Sequence, residues 1–186
     1  MAKSALLVMD VQQVIVGRID DEAGYLLRLR RAIDAAHAAG VQVIHVAIGF
    51  RTGHPEISTR NKSFSAIPGT LGLADGDPKA EIHPDIAPVP GDIVVTKKRV
   101  SAFAGSDLDI VLRAGGIDSL VLTGLATSGV VLSTLRQAAD LDFVLTVLAD
   151  GCLDADPEVH RVLTEKVFPR QADVVTVDEW VTAIGK

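Results

Sequence analysis

The feature that most constrains this chain is the alternation of short apolar runs with longer stretches of helical periodicity. Six runs rich in Val, Leu and Ile are candidate strands, at residues 5–9, 41–47, 93–96, 119–123, 143–149 and 174–177. Strands buried on both faces read as continuous apolar runs, and strands that alternate with helices form βαβ units. The sequence therefore predicts an α/β fold built on a parallel sheet that is covered on both faces.

The exception to this alternation is the segment 49–92, which contains six of the eight prolines of the chain. Connections in compact domains have a median length of about 4–6 residues, so a stretch of this length is typical of a functional loop. We therefore predict a single domain spanning residues 1–186, with a long loop or lid at about 49–92.

Charge and composition argue against several kinds of partner. The chain has 18 basic and 24 acidic residues, a net charge of −6, and no cluster of Lys and Arg interleaved with aromatic residues. We therefore expect no nucleic-acid partner. The single cysteine, Cys152, cannot form an internal disulfide, and no signal peptide or membrane-spanning segment is recognisable. We expect a cytoplasmic protein that acts on a small-molecule substrate and does not bind a membrane.

Three groups follow candidate strands at the carboxyl edge of the predicted sheet, where ligands of open α/β sheets collect. Asp10 follows the first strand, Lys97 the third, and the turn 126–130 the fourth. An inward lysine opposite Asp10 would hold its carboxylate ionised or neutralise developing negative charge. The alternatives are that Asp10 caps the following turn and that Lys97 is a solvated strand end. Gln12 would either position a ligand or face water.

Other reactive side chains give weaker signals. No pair among the five histidines has the spacing of metal ligands, so no metal is expected. Cys152 is typical of a small buried thiol, because nothing near it in the sequence supplies a base. Ser128 lacks the surroundings of a nucleophile elbow. It fits better as a helix N-cap whose neighbours offer backbone N–H groups to an anion.

Four stretches, ALLVMDVQQ, VVTKKRVSAF, DLDIVLRAGGIDSLVLTGLATSGVVLSTLRQAADLDF and LTVLADGCLD, resemble the isochorismatase-like, or cysteine hydrolase, superfamily over nearly the whole chain. The resemblance implies a Rossmann-like, three-layer α/β/α sandwich with a six-stranded parallel sheet. It also implies assembly as a homodimer or homotetramer. The apolar residues of the helix that begins near Ser128 are more numerous than one sheet face needs, which is consistent equally with a dimer surface and with deeper core.

Amide hydrolases of this family use an aspartate, a lysine and a cysteine. By motif position the aspartate is Asp10 and the lysine is Lys97, while Val130 stands at the place of the cysteine. The resemblance also implies a cis peptide bond between Leu125 and Ala126. Nicotinamidases of the family hold a metal just after the second strand, where this chain reads Gly49-Phe50-Arg51, so neither a metal nor another cofactor is expected.

Isochorismatases resemble the rest of the family but carry glycine at the place of the cysteine, and their aspartate protonates the carbon of a vinyl ether before water adds. Asp10 and Lys97 would suffice for that route, provided that burial raises the pKa of Asp10 more than Lys97 lowers it. The substrate would be small and polar or carboxylated, with the carboxylate received by basic residues of the segment 49–92, namely Arg51, His54, Arg60 and Lys62. The alternative is that these residues belong to a solvated loop and balance Glu56. The predicted substrate contacts are Gln12, Phe50, Arg51, Arg60, Ala126, Thr127, Ser128 and Val130.

Three functions are consistent with the sequence. The first is a cofactor-free hydrolase with Asp10 as general acid or base and Lys97 as its electrostatic partner. The second is a catalytically silent member of the family that binds a small molecule. The third is an amidase with Ser128 or Cys152 as nucleophile.

Overall fold

The computed structural model describes residues 3–19 and 21–185. It contains a six-stranded, all-parallel sheet with the strand order β3-β2-β1-β4-β5-β6. The strands are β1 (Ser4–Met9), β2 (Gln42–Ile48), β3 (Ile93–Lys97), β4 (Ser119–Leu125), β5 (Val144–Leu153) and β6 (Asp173–Val175). The predicted fold class is confirmed. The last strand ends earlier than predicted, because β6 stops at Val175 and Val177, predicted as a strand residue, begins a helix.

Helices cover both faces of the sheet. They are α1 (Gln13–Val16), α2 (Glu22–Ala38), α3 (Ile67–Thr70), α4 (Leu108–Gly115), α5 (Leu132–Asp140), α6 (Pro157–Val162) and α7 (Val177–Ile184). Successive side chains of a strand point to opposite faces, and β1 shows how this builds two cores. Leu6 and Val8 lie in the cluster with α2 and α7, while Leu7 and Met9 lie in the cluster with α4 and α5.

The apolar residues at the start of α5 and in the turn before it belong to the core. Val130, Val131, Leu135 and Ala138 are all buried in the cluster on the α4 and α5 face. Their number therefore reflects packing against the sheet and gives no support to a dimer surface on this helix. Within the described residues, no helix has the length and apolar character that a membrane span requires.

The segment 49–92 joins β2 to β3 and is folded around a small core of its own. Its apolar cluster comprises Ile48, Phe50, Phe64, Ile67 and Leu73, with the rings of Phe50 and Phe64 in edge contact. It contains α3 and three short 3-10 helices, and it pairs with the main body through an isolated bridge between Gln12 and Ile82. That this segment acts as a lid stays a prediction.

Candidate active site

The carboxyl edge of the sheet brings Asp10 and Lys97 together. Asp10 follows the last residue of β1, and its backbone is in the left-handed region, with φ of 58°, which Asp tolerates better than most residues. Lys97 is the last residue of β3, two strands away, and its long side chain reaches Asp10. Lys97 Nζ lies 2.9 Å from Asp10 Oδ2, and the two side chains are 1% and 10% exposed.

Lys97 is fixed by its hydrogen bonds. In addition to the contact with Asp10, its ammonium group donates to the backbone oxygens of Arg99 at 2.9 Å and Val100 at 3.1 Å. A lysine side chain has three N–H donors, so these acceptors use all of them. The alternative reading of Lys97 as a solvated strand end is therefore wrong, and the charge is held in one place beside Asp10.

Two opposing effects set the pKa of the Asp10 carboxyl group. Burial raises its pKa from 3.8 to about 6, although the charge and the hydrogen bond of Lys97 act in the opposite direction. Burial therefore outweighs the lysine, as acid catalysis requires. Oδ1 is buried and has no hydrogen-bond partner among the described residues, whereas Oδ2 faces Lys97.

The turn after β4 is the second part of the site. Gly124 pairs with Met9 in the sheet and has φ of 141°, and a Cβ atom at this position would lie 2.3 Å from the Met9 carbonyl oxygen. Only glycine fits there, so the two strands approach closely just before Asp10. The peptide bond between Leu125 and Ala126 is cis. Val130, at the far end of the turn, is only 2% exposed.

A cavity of about 410 Å³ lies beside this turn. Its apolar wall is formed by Ile15, Ile19, Leu125, Ala126, Leu153 and Pro157. Its charged lining is Arg18, Asp21 and Asp154. Asp10 and Lys97 do not line the cavity. Met9, which precedes Asp10, pairs with Gly124, which precedes Leu125 of the cavity wall.

Two predicted substrate contacts have structural roles instead. The Gln12 amide donates to the backbone oxygens of Ile48 and Ala80 and accepts the Ile48 N–H, so it ties the end of β2 to the segment 49–92. Phe50 is completely buried in the apolar cluster of that segment. The structure presents neither side chain to the cavity.

The predicted receivers of a substrate carboxylate also lie away from the cavity. Arg51 is 71% exposed and forms an ion pair with Glu56 at 2.7 Å. His54 Nε2 contacts the backbone oxygen of Gly72 at 2.7 Å, and Arg60 and Lys62 are exposed. Arg18 is the basic residue that lines the cavity, and no sequence pattern singled it out.

The turn 126–130 makes two contacts that sequence reasoning missed. Thr127 Oγ1 lies 2.8 Å from Nδ1 of His160, and the backbone N–H of Ser128 donates to Asp154 Oδ2 at 2.6 Å. The expected N-cap role of Ser128 is wrong, because Ala126 is the capping residue and no side chain caps this turn. The Ser128 N–H itself is occupied by the chain's own carboxylate.

Cys152 is a small buried thiol, as the sequence predicts. It is fully buried, and burial raises its pKa to about 12, so the reactive thiolate is strongly disfavoured. Within residues 3–19 and 21–185, no group of three or more His, Cys, Asp or Glu side chains could hold a metal ion.

The fold is a parallel α/β sheet with a buried Asp–Lys pair at its carboxyl edge and a cavity beside the turn after β4. Comparison with known proteins gives the family. The Isochorismatase domain matches residues 4–179. The ureidoacrylate amidohydrolase RutB of Stutzerimonas stutzeri (strain A1501) is 35% identical, over 98% of this chain and 80% of that protein.

Solved structures agree with this family. A cysteine hydrolase from Pseudomonas syringae pv. phaseolicola 1448A has the same fold, with a TM-score of 0.90 over 98% of this chain and 92% of that chain, at 24% identity. An isochorismatase family protein from Burkholderia thailandensis has a TM-score of 0.87 over 99% of this chain and 96% of that chain, at 26% identity. The chain belongs to the isochorismatase family and is a hydrolase.

Proposed function

We propose that this hydrolase cleaves a small carboxylated metabolite by acid catalysis, with Asp10 as the general acid and Lys97 as its electrostatic partner. The observation that carries the proposal is the state of Asp10. Its carboxyl group is buried, its pKa is raised to about 6, and Oδ1 has no partner among the described residues. A carboxyl group in this state can donate a proton near neutral pH.

The bond that suits such an acid is a carbon–carbon double bond that carries an oxygen or nitrogen atom. Asp10 transfers its proton to the carbon remote from the heteroatom, and the positive charge that forms is shared by the other carbon and the heteroatom. Water adds to that carbon and returns a proton to Asp10. The adduct then breaks its bond to the heteroatom, giving a carbonyl compound and an alcohol, amide or urea.

The position of Val130 supports a route without a covalent intermediate. The family resemblance assigns this place to the nucleophilic cysteine, and here an apolar side chain is buried there. Neither of the other nucleophile candidates replaces it, since the Cys152 thiol is buried with a raised pKa and the site brings no base to the Ser128 hydroxyl within the described residues. Lys97 limits the cost of forming the Asp10 carboxylate when the proton has been transferred.

The cavity beside the turn 126–130 is the proposed substrate site. Its volume of about 410 Å³ suits a small metabolite, and its walls are largely apolar. Arg18 is a candidate to receive the substrate carboxylate through paired N–H donors, in place of Arg51 and Arg60.

Ureidoacrylate is an informative probe, because a curated relative is named for its hydrolysis and the compound carries nitrogen directly on a double bond. Cleavage of its ureido carbonyl would release ammonia. Acid-catalysed hydrolysis at the double bond would instead release intact urea. Mass spectrometry of the products of purified protein with ureidoacrylate, and separately with the vinyl ether isochorismate, distinguishes these routes.

Asp10→Asn is the matched control for this experiment. We expect urea, or the hydrolysed vinyl ether, from the wild-type protein and no product from Asp10→Asn. Ammonia formation that survives Asp10→Asn would contradict the assignment of Asp10. Absence of turnover by the wild type over a broad panel of vinyl ethers and amides would favour a catalytically silent binding protein.

We also propose that the chain forms a homodimer or homotetramer, as the family resemblance implies. Ile110, on the outer side of α4, is 71% exposed in the single chain, and an interface between subunits would cover it. Light scattering during size-exclusion chromatography measures the assembly directly, and a monomer would refute the proposal.

A further inference from the structure

Two side chains from beyond β5 hold consecutive residues of the turn 126–130. Asp154, the first residue after β5, accepts the Ser128 N–H at 2.6 Å. His160, on α6, contacts the hydroxyl of Thr127 at 2.8 Å. One contact therefore holds the turn by the backbone of Ser128, and the other holds it by the side chain of Thr127.

Both contacts belong to a connected set of hydrogen bonds. The second oxygen of Asp154 accepts the N–H of Asp156, at the long distance of 3.4 Å, and the Asp156 carboxylate caps α6 by accepting the Glu158 N–H at 2.9 Å. His160 lies on the same helix. The position of the turn is thus coupled to the position of α6, which packs against it.

The contact with Thr127 is shielded from water. Thr127 is completely buried, so its hydroxyl depends on His160 for a hydrogen-bond partner. Loss of that partner would leave a buried hydroxyl unsatisfied, and the turn would have to move or admit water to compensate. Burial also lowers the pKa of His160, which favours the neutral ring.

We propose that Asp154 and His160 are positioning residues that fix the turn 126–130 as the wall of the substrate cavity. Leu125 and Ala126 line this cavity, and Leu125 follows Gly124, whose strand partner Met9 precedes Asp10. A displaced turn would therefore change the shape of the cavity in which the substrate is proposed to bind. The inference rests on the proposed hydrolysis at Asp10. It adds that Asp154, which itself lines the cavity, and His160 on α6 control the geometry of that cavity.

The test compares two substitutions of His160 that differ in where they place a polar atom. The amide of His160→Asn lies near the position of Nδ1, whereas the amide of His160→Gln lies nearer the position of Nε2. We expect His160→Asn to retain kcat within about three-fold and His160→Gln to lose at least about ten-fold, because small displacements of a bound substrate are costly. The substrate is ureidoacrylate or isochorismate, whichever the wild type hydrolyses.

Asp154→Ala is the second variant and tests the other contact. It should lower kcat as His160→Gln does. Val159→Ala, on the exposed side of the same helix, should leave kcat unchanged. Thermal unfolding of each variant checks that the fold is retained.

Hydrogen exchange supplies a readout that does not depend on turnover. Amides in a peptide covering residues 124–132 should exchange faster in His160→Gln and Asp154→Ala than in the wild type, His160→Asn or Val159→Ala. If the wild type shows no Asp10-dependent turnover, the proposed function is refuted. The comparison of exchange rates still tests whether Asp154 and His160 hold the turn 126–130. If both His160→Gln and Asp154→Ala keep wild-type exchange and kcat, the inference is overturned.

Discussion

Replacing Asp10 by Asn is expected to stabilise the fold while it abolishes turnover. Asn has the size and shape of the protonated aspartate but cannot ionise. The folded-state pKa of Asp10 is about 6 and the reference value is 3.8, so ionisation is disfavoured by folding. The wild-type protein carries this cost whenever Asp10 is charged, and Asp10→Asn does not.

The size of the effect follows from linkage between folding and proton binding. The pKa difference is about 2 units, and one unit corresponds to about 1.4 kcal/mol, so the fully developed cost is about 3 kcal/mol. Between pH 3.8 and 6 the folded state binds more protons than the unfolded state, so wild-type stability falls as pH rises through this range. The predicted gain for Asp10→Asn is about 2 kcal/mol at pH 5 and about 3 kcal/mol at pH 8.

Reversible urea unfolding, followed by circular dichroism at pH 5, 6, 7 and 8, measures this difference. Asp34→Asn is the matched control, because Asp34 is exposed on α2 and makes no side-chain hydrogen bond within the described residues. Its effect on the free energy of unfolding should be small. A gain for Asp10→Asn that is the same at pH 5 and pH 8, or a loss of stability at pH 8, would refute the reasoning.

Three further predictions concern the residues around Asp10. Lys97→Met should raise the pKa of Asp10, by about 1–3 units, because it removes a charge that lowers that pKa. An acid works below its pKa, so the fall of kcat at high pH should move to higher pH in a pH–rate profile, and an unmoved profile would contradict the pairing. Gly124→Ala should destabilise the fold by about 2–5 kcal/mol, because the new Cβ meets a backbone oxygen. Thermal unfolding measures this against Gly129→Ala, where the nearest atom to the new Cβ is 3.8 Å away, and equal effects would be inconsistent with the clash. Cys152→Ala should retain turnover, and the native thiol should resist alkylating reagents, since it is fully buried. Loss of turnover in a folded Cys152→Ala variant would instead support the thiol.

The proximity of Asp10 and Lys97 could be predicted from the places where their strands end. Asp10 and Lys97 each end an apolar run, and strands in a parallel sheet end at the same edge, so their proximity could be expected. The sequence also indicated that burial and Lys97 would shift the pKa of Asp10 in opposite directions. It did not indicate which of the two effects is larger. That outcome depends on how completely the surrounding residues exclude water.

Prediction was poorer for residues that lie on loops. Arg51 and Arg60 were chosen because the segment 49–92 is long and basic residues suit a carboxylate, yet Arg51 pairs with Glu56 on the surface. The contacts of Asp154 and His160 with the turn 126–130 link residues 26 and 33 positions apart. No periodicity or local motif reports such a pairing.

The layers of this protein could be predicted from its sequence, because apolar periodicity follows directly from which faces of a strand or helix must be buried. The chemical groups at the ends of β1 and β3 could be predicted in the same way. Three properties required the three-dimensional arrangement: the raised pKa of the Asp10 carboxyl, the bond of the Ser128 N–H to Asp154, and the place of Arg18 in the cavity lining. These properties depend on desolvation and on distances between residues far apart in the chain, and both are set by packing of the whole domain.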